Sequence, residues 1–345
     1  MSDIYESMCS IENLLQAYQR ARRANPQSKE VLSFGYDLEA NVLALHSELI
    51  RGRYQHGSYR EFIVNDSKRR LIKAATFRDR VVHQAVYAAL EPTFERSFIF
   101  DSYACRKGKG THAALERLES WIVHSSEKYV LACDISKFFA SVDHVRLTAL
   151  IARRVRDVRM YGLCRIIIES VQDKTGVGIP IGNLTSQLFA NIYMNELDQY
   201  AKHTLKARHY IRYMDDFLIF GDESKALHRT KETIATFLGE QLGLTLHPKK
   251  AVVFPVSTGV NFLGYRVFQH HRRLRPSTVH RFVARVKRQQ ILLASGVLAP
   301  ETFAAGLRSW SAYADKAASR GLKRSLAARL DMSFAPLSMH QLPAY

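Results

Sequence analysis

The alternation of apolar and polar positions divides the chain into segments of different period. Ile4, Ile11, Leu15 and Tyr18 fall at helical spacing over residues 3–23, ahead of Asn25-Pro26, and Leu38, Val42, Leu45 and Leu49 repeat that spacing up to Gly52. The first fifty residues therefore read as two amphipathic helices. From Tyr59 the period shortens. YREFIV and RRLIKA predict two short strands around a turn at Asn65-Asp66-Ser67, followed by a helix from Arg78 to Leu90 that stops near Pro92. Tyr129 to Ile135 is an apolar run of strand length ending on Asp134, with a helix-like tract after it through Ile151. Beyond the Gly- and Pro-bearing stretch 176–182, residues 184–202 are helical again. Tyr210 to Tyr213 and Phe217 to Phe220 predict two strands pinched around Asp215-Asp216, a hairpin with acids at its tip. A helix over 224–242, the segment 244–254 and a short strand pair through 261–265 follow. From about residue 270 the pattern is helical, with Leu292, Leu293, Phe303, Leu307, Trp310 and Tyr313 available for a small core. No internal repeat or low-complexity segment interrupts this order, and the mixture of hairpins and helices predicts an α+β fold.

Charge adds a second layer. Fifty Lys and Arg against thirty-two Asp and Glu leave +18 over 345 residues, while 47% hydrophobic content is that of a packed protein. This length serves one large domain or two to three small ones. Residues 266–329 carry fourteen basic and two acidic side chains, whereas residues 1–50 carry four basic and seven acidic ones. Neutralising a phosphate backbone takes a basic field of that kind; a solvated basic surface is the alternative. Cys9, Cys105, Cys133 and Cys164 lie far apart, so neither a zinc cluster nor a disulfide framework is expected and the compartment reads as reducing, that is, cytoplasmic. No apolar run approaches eighteen residues and the N-terminus carries acids, so a membrane span and a signal peptide are not expected.

Adjacent acids at a hairpin tip are ordinarily solvated turn residues. Asp134, ending a separate apolar strand, changes that reading of Asp215 and Asp216. Three carboxylates on neighbouring strand ends repel one another unless they share divalent cations. Two Mg²⁺ ions, with Mn²⁺ as a possible substitute, would activate an attacking 3′-hydroxyl and stabilise a leaving pyrophosphate. The catalytic set is then Asp134, Asp215 and Asp216, with Ile135 joining them in the metal set.

At this point the residues resemble a known family. Tyr213-Met214-Asp215-Asp216 resembles the YxDD box of reverse transcriptases, and other boxes appear in that family's order. Residues 77–86 resemble its finger motif, Ser102 to Gly108 the next box, and Asp134 to Phe139 the first metal box. Gly178 to Phe189 resembles the template and nucleotide box, and Asn261 to Tyr265 the primer grip. The resemblance runs over about residues 59–265 and implies a right-hand polymerase fold. Its parts would be an N-terminal helical extension (1–58), fingers (59–128), a palm with primer grip (129–265) and a basic helical thumb with a C-terminal tail (266–345). One box departs from the common form. Most reverse transcriptases carry Gln-Gly, three residues, then Ser-Pro, whereas this chain has Ile181-Gly182 and then Ser186-Gln187. That form is typical of diversity-generating retroelements, including their bacterial and phage-encoded examples. The resemblance implies copying of a template-repeat RNA into cDNA with misincorporation at adenines, so that a variable protein gene is rewritten. It also implies a small basic oligomeric accessory variability determinant protein, and the chain length leaves no expected room for an RNase H domain.

The remaining roles follow from the resemblance with alternatives open. Phe139 matches the ring that crowds the sugar 2′ carbon of a dNTP; the other reading is a core ring beside Phe138. Arg69, Arg70 and Arg78 are candidates for the triphosphate, and equally for RNA contacts or solvated charge. Ile181, Gly182 and Gln187 belong to the dNTP pocket. Lys249 or Lys250 fits the position of a proton donor to pyrophosphate, or of a general phosphate contact. Arg106, Lys107, Lys109, Gly264, Tyr265, Arg281, Arg285 and Arg288 are the candidates for template RNA and the primer end. A retron-like or phage-defence reverse transcriptase and a catalytically idle RNA-binding module are the competing functions.

Overall fold

Four helices open the chain where the spacing predicts two: α1 (Ile4–Cys9), α2 (Ile11–Arg22), α3 (Lys29–Tyr36) and α4 (Leu38–Ile50). Two serines make the difference. Ser10 accepts a hydrogen bond from the Asn13 amide and Ser28 from the Val31 amide, and each such cap starts a new helix. The break at Ser10 also rotates the buried face. Tyr5, Met8, Leu14 and Tyr18 are buried, while Ile11, expected inside, is 42% exposed. The computed structural model describes residues 4–65, 69–171 and 176–332. Contacts divide the chain into two units, Met1–Ala114 with Leu131–Val253, and Leu115–Val130 with Phe254–Tyr345.

In the first unit, α1, α2 and α3 pack on α5 (Phe77–Glu95), which follows the antiparallel hairpin of β1 (Arg60–Asn65) and β2 (Arg69–Ala74). The turn expected at Asn65-Asp66-Ser67 falls on residues 66–68, outside the described residues. Contrary to expectation, α5 continues through Pro92. A proline removes one intrahelical bond, and the burial of Phe94 beyond it holds the last turn. Next come α6 (Thr111–His124) and β3 (Tyr129–Asp134). The helix-like tract after β3 is two helices, α7 (Phe138–Ser141) and α8 (His144–Ala152), because Asp143 caps the Arg146 amide at 2.8 Å. Then follow α9 (Val158–Glu169), α10 (Leu184–Gln199) with a π-helical turn over Tyr200–Thr204, β4 (Tyr210–Tyr213), β5 (Asp216–Gly221), α11 (Ser224–Phe237) and β6 (Val252–Pro255). Four strands form one sheet in the order β4-β5-β3-β6. Helix α10 buries nearly its whole length, including Leu188, Phe189, Ile192 and Tyr193, which is why its sequence lacks a clear polar face.

The second unit holds an antiparallel sheet of β7 (Val260–Phe262), β8 (Tyr265–Val267) and β9 (Arg272–Leu274). Three helices follow, α12 (Pro276–Ala294), α13 (Pro300–Ala314) and α14 (Arg320–Leu330). Strand β9 is hidden in the sequence because two of its three residues are arginine. Leu307 and Trp310 are buried as expected, while Leu292, Leu293, Phe303 and Tyr313 are half-buried. Their missing partners are Phe282, stacked on Trp310 with ring centroids 3.6 Å apart, Val283 and Val286 on α12, and Leu326 and Leu330 on α14.

Candidate active site

Asp134 is the last residue of β3 and Asp216 the first of β5. Tyr213 pairs with Asp216, so Met214 and Asp215 alone close β4 onto β5. The Ile135 amide donates to the Asp215 carbonyl at 3.3 Å. On the other flank the His247 amide donates to the Asp134 carbonyl at 2.7 Å, and the Ser136 amide to the Thr245 carbonyl at 2.9 Å. The end of β3 is therefore tied to the β4–β5 turn on one side and to residues 245–247 on the other. This brings the backbones of Asp134 and Asp215 together, with all three aspartates half-buried.

Asp134 is ion-paired with the Lys250 ammonium. Lys249 is exposed, its amide donating to His247 Nδ1 at 3.3 Å, so of the two lysines Lys250 is the one at the carboxylates. Carboxylates are hard oxygen donors, and this donor set fits a divalent cation. Among the described residues no group of three or more His, Cys, Asp and Glu side chains is already drawn into a metal-holding cluster. Next to Asp134, burial pushes the Cys133 thiol up to about 12, with the neighbouring aspartates adding to the shift opposed by Lys231, and so keeps it protonated.

The turn itself is held by residues that the motif reading missed. Met214 sits at φ +59°, a left-handed conformation that a residue with a Cβ adopts only under constraint. Arg212, fully buried on β4, donates Nη1 to the Met214 carbonyl at 2.9 Å. Its Nε and Nη2 each reach an oxygen of Asp198 at 2.6 Å, a two-pronged pair in which both side chains have no exposure. The Tyr210 hydroxyl donates to the same carboxylate at 2.7 Å, and Arg212 also donates to Ser102 Oγ at 3.0 Å and Asn191 Oδ1 at 3.2 Å. Burial opposes the Arg212 charge and Asp198 more than restores it, so its pKa rises; burial first and Asp198 second drive Tyr210 well above its ordinary value. Backbone bonds Arg212 N–H to Asp101 O (2.9 Å) and Tyr103 N–H to Arg212 O (3.0 Å) dock the 102–108 box on the free edge of β4. The available signal was an arginine in the middle of the apolar arm YIRY.

On the nucleotide side, the Ile179 amide donates to the Phe139 carbonyl at 2.8 Å, and the Lys73 amide of β2 to the Ile181 carbonyl at 3.2 Å. The 178–182 stretch is thus fixed to α7 at one end and to the β1–β2 hairpin at the other. Gly182 has φ +118°, and a Cβ there would stand 3.0 Å from Ile72 Cγ2, so only glycine suits this passage. Phe139, Ile181 and Gln187 are half-buried, the Phe139 ring lying edge-on to Phe138. Arg69 and Arg70 are exposed on β2, at the end of the hairpin away from Lys73. Arg78 differs from expectation. It is ion-paired with Glu48, donates to the Gln55 carbonyl at 3.3 Å and lies over the Tyr54 ring, which ties α5 to α4.

Arg106 also departs from its expected role at the template. It spends its guanidinium on Glu95 through Nε and Nη2 and on the Ile99 and Ser102 carbonyls, both at 2.7 Å. Its side chain is only 6% exposed and clamps its own loop. Lys107 is exposed, and Lys109 donates to the Phe100 carbonyl with its ammonium over the Phe100 ring. In the second unit Tyr265 is buried, its hydroxyl donating to the Tyr313 carbonyl at 2.8 Å, so its side chain does not face a nucleic acid as expected. Gly264 has φ +90° with Tyr313 Oη in the place a Cβ would take. Arg281, Arg285 and Arg288 are all exposed along α12.

A second buried network supports the same pocket. His83 and His56 meet through their Nε2 atoms at 3.2 Å, and Asp79 accepts from Tyr54 Oη (2.8 Å), Thr76 Oγ1 (2.6 Å) and the Gly57 amide (3.1 Å). Tyr59 links this group to Ser170 at 2.6 Å and to Asn183, the cap of α10 beside Gly182, at 3.3 Å. Burial, and secondarily His56, pulls His83 down to about 3, against Asp79.

Two acids at the ends of neighbouring strands and a third in the two-residue turn between β4 and β5, on a sheet flanked by helices, are the arrangement of a right-hand nucleotidyl polymerase fold. Residues 64–267 match the family described as reverse transcriptase (RNA-dependent DNA polymerase), and the chain belongs to that family. It is similar to Protein YkfC of Escherichia coli (strain K12), 27% identical over 279 residues that cover 68% of this chain and 73% of that protein. It is also similar to the group II intron-encoded protein LtrA of Lactococcus lactis subsp. cremoris, 24% identical over 271 residues, 59% of this chain. That match spans 45% of the intron protein, less than half its length. Among solved structures, apo telomerase from Candida tropicalis superposes with a TM-score of 0.50 at 12% identity, covering 79% of this chain and 59% of the telomerase chain, a likeness of fold.

Proposed function

We propose that this chain is an RNA-directed DNA polymerase that copies a template-repeat RNA into cDNA, with errors at template adenines, for a diversity-generating retroelement. The observation that carries the polymerase reading is the set Asp134, Asp215 and Asp216 on adjacent strand ends, within the matched family region. These carboxylates, with the Ile135 carbonyl, would hold two Mg²⁺ ions, or Mn²⁺ as a substitute, which when bound supply the charge that activates a 3′-hydroxyl and steadies pyrophosphate. Lys250, already beside Asp134, is the proton donor or phosphate contact of the pair Lys249 and Lys250. Phe139 and Ile181 wall the dNTP, and Arg69 and Arg70 at the hairpin reach its phosphates. Residues 1–58 form the extension, 59–128 the fingers, 129–265 the palm, and 266–345 the thumb, whose Arg281, Arg285 and Arg288 take the template and primer duplex. Primer extension on an RNA template with dNTPs, with and without EDTA, tests this; RNA binding without any EDTA-sensitive extension would leave an RNA-binding module.

Ile181-Gly182 with Ser186-Gln187 supports the finer reading. The Ile181 carbonyl is used by Lys73, and its side chain has no hydrogen-bonding atom to orient a base pair. One hydrogen bond is worth about 0.5–1.5 kcal/mol, a factor of roughly 2 to 13 between correct and incorrect insertion. Ile181→Gln is therefore expected to lower misincorporation opposite adenine more than opposite other bases. Sequencing cDNA from both enzymes on one template decides it, an unchanged adenine spectrum in an active variant meaning that Ile181 only fills the pocket and that fidelity is set by the template RNA or the partner. The partner in this reading is a small basic accessory protein on residues 1–50. Glu6, Glu30 and Glu48 pair internally with Arg159, Arg80 and Arg78, so its contacts fall to the exposed Glu12, Asp37 and Glu39 beside Tyr36, which is 88% exposed. No helix among the described residues is long and apolar enough to cross a membrane, and the work proposed belongs in the cytoplasm.

A further inference from the structure

The β7-β8-β9 sheet of the second unit has one buried face, made by Val260, Phe262, Tyr265, Val267 and Leu274. Its other face is a single row of polar side chains. Asn261 pairs with Arg266, and Arg266 pairs with Arg273, so two arginines stand directly opposite each other on adjacent strands, both exposed. Like charges in that relation destabilise a sheet. Neighbouring Arg272, on the other face, has its charge answered by Glu119 at 3.4 Å. Arg266 and Arg273 have no ion-pair partner among the described residues. Arg266 is instead aimed by the Thr258 carbonyl, which accepts from its Nε at 2.9 Å, and both guanidinium groups lie over the Phe268 ring, at 5.5 and 5.8 Å from its centre. The exposed His271 ring stacks on Phe268 at 4.8 Å and 13°, ending in an outward aromatic surface.

We infer that this face binds a single strand of nucleic acid, one or two phosphates lying between Arg266 and Arg273 and a base stacking on His271. An anion there turns the repulsive pair into two favourable ones, and arginine with an aromatic platform is the chemistry by which single strands are held without sequence choice. The site lies at the end of β8 away from the Leu263-Gly264 turn. It stands on the sheet alone and does not require the chain to polymerise.

The test measures binding of the full chain to an unprimed oligo(U) 20-mer, an oligo(dT) 20-mer and a hairpin duplex of equal charge, across a salt series. Each phosphate contact on a single strand contributes about 0.7 to the slope of log affinity against log salt, so Arg266→Gln with Arg273→Gln lowers the slope by about 0.7 for one shared phosphate and about 1.4 for two. His271→Ala leaves the slope and weakens single-strand binding by roughly fivefold or more. Arg273→Glu replaces repulsion by attraction, so its Tm rises by about 1–4 °C while its affinity falls, the opposite of a folding defect. Equal losses on both single strands support the inference for either strand, and a loss confined to RNA assigns the site to RNA through its 2′-hydroxyl. A wild-type slope in the double variant, a lowered Tm in Arg273→Glu, or a loss confined to the duplex overturns it.

Discussion

The pair Asp198 and Arg212 offers a sharp separation of stability from catalysis. Both side chains are fully buried, and Asp198 takes two bonds of 2.6 Å from the guanidinium and one of 2.7 Å from Tyr210. Removing one member of such a pair strands the other charge away from water, at about 3–5 kcal/mol. With Tm moving about 2–4 °C per kcal/mol for a domain of this size, Asp198→Leu or Arg212→Met alone lowers Tm by roughly 6–20 °C. Were the two changes independent, the double variant would lose about 6–10 kcal/mol, as much as the whole stability of many domains. Their penalties share one origin, the uncompensated charge. Asp198→Leu with Arg212→Met therefore loses less than that sum, because no charge is stranded: only the neutral Tyr210, Ser102 and Asn191 groups lose a partner, and hydroxyls that can turn to other acceptors cost less than a buried charge. Adding Tyr210→Phe removes one of these. The rescued protein still lacks the donor to the Met214 carbonyl, and a catalytic group displaced by about 1 Å forfeits roughly a hundredfold in rate. Urea melts of the cycle and single-turnover primer extension measure the two quantities. A rescued double variant extending at the wild-type rate would show that the pair only packs the palm; single variants melting at the wild-type temperature would refute the burial argument itself.

Three further outcomes are expected. Asp215→Asn or Asp216→Asn abolishes extension while RNA affinity holds or rises, because one negative charge near phosphates is lost; extension at the wild-type rate in the double variant places the chemistry elsewhere. Phe139→Ala, opening the space beside the half-buried ring, raises ribonucleotide incorporation by a factor of roughly 10 to 200, and unchanged discrimination in an active variant returns Phe139 to the core. His83, held near 3 in the folded chain against 6.5 when exposed, stays neutral while the unfolded chain takes up a proton. Stability is thus complete above 6.5 and falls by about 1.4 kcal/mol per pH unit below it, roughly 2 kcal/mol by pH 5. His83→Asn should flatten the Tm difference between pH 7.5 and 5, and equal slopes in both proteins would refute it.

The parts of this molecule that are legible in sequence are those whose signal is local. The strand ending on Asp134 and the arms around Asp215 emerge at their residues because apolar runs and a polar tip are adjacent in the chain. Helix ends set by one serine, as at Ser10 and Ser28, are invisible to a count of apolar spacing, and so the buried face of α1 and α2 was placed on Ile11 instead of Tyr5 and Met8. Strand β9, Arg272–Leu274, carries no alternation to read. Basic side chains were the least legible class. In a chain with fifty of them, sequence does not distinguish Arg106 and Arg78, spent on Glu95 and Glu48, from Arg281 and Arg285, which face solvent. The distinction lies in partners that stand 11 and 30 positions away.

The geometry of the aspartate turn is likewise assembled from distant segments. The left-handed Met214 is met by Arg212 from below, the Asp215 carbonyl by the Ile135 amide from β3, and the Tyr213 hydroxyl by Thr111 Oγ1 at 3.2 Å. A left-handed non-glycine residue is disfavoured by about 1–2 kcal/mol, which no turn of two residues offsets by itself. Rigidity must therefore come from the packed layer beneath, and the choice of a paired arginine for that layer has an electrostatic consequence. A lone guanidinium this close would draw down the negative potential that three carboxylates create and compete with any cation they hold. Asp198 cancels that charge inside the protein while leaving Nη1 free to hold the turn. The exchangeable positive charge at the site is then Lys250, which is 38% exposed and bound to Asp134 by a contact that solvent and phosphates can reach. The buried pair fixes shape without altering the field, and the lysine balances the field without fixing shape.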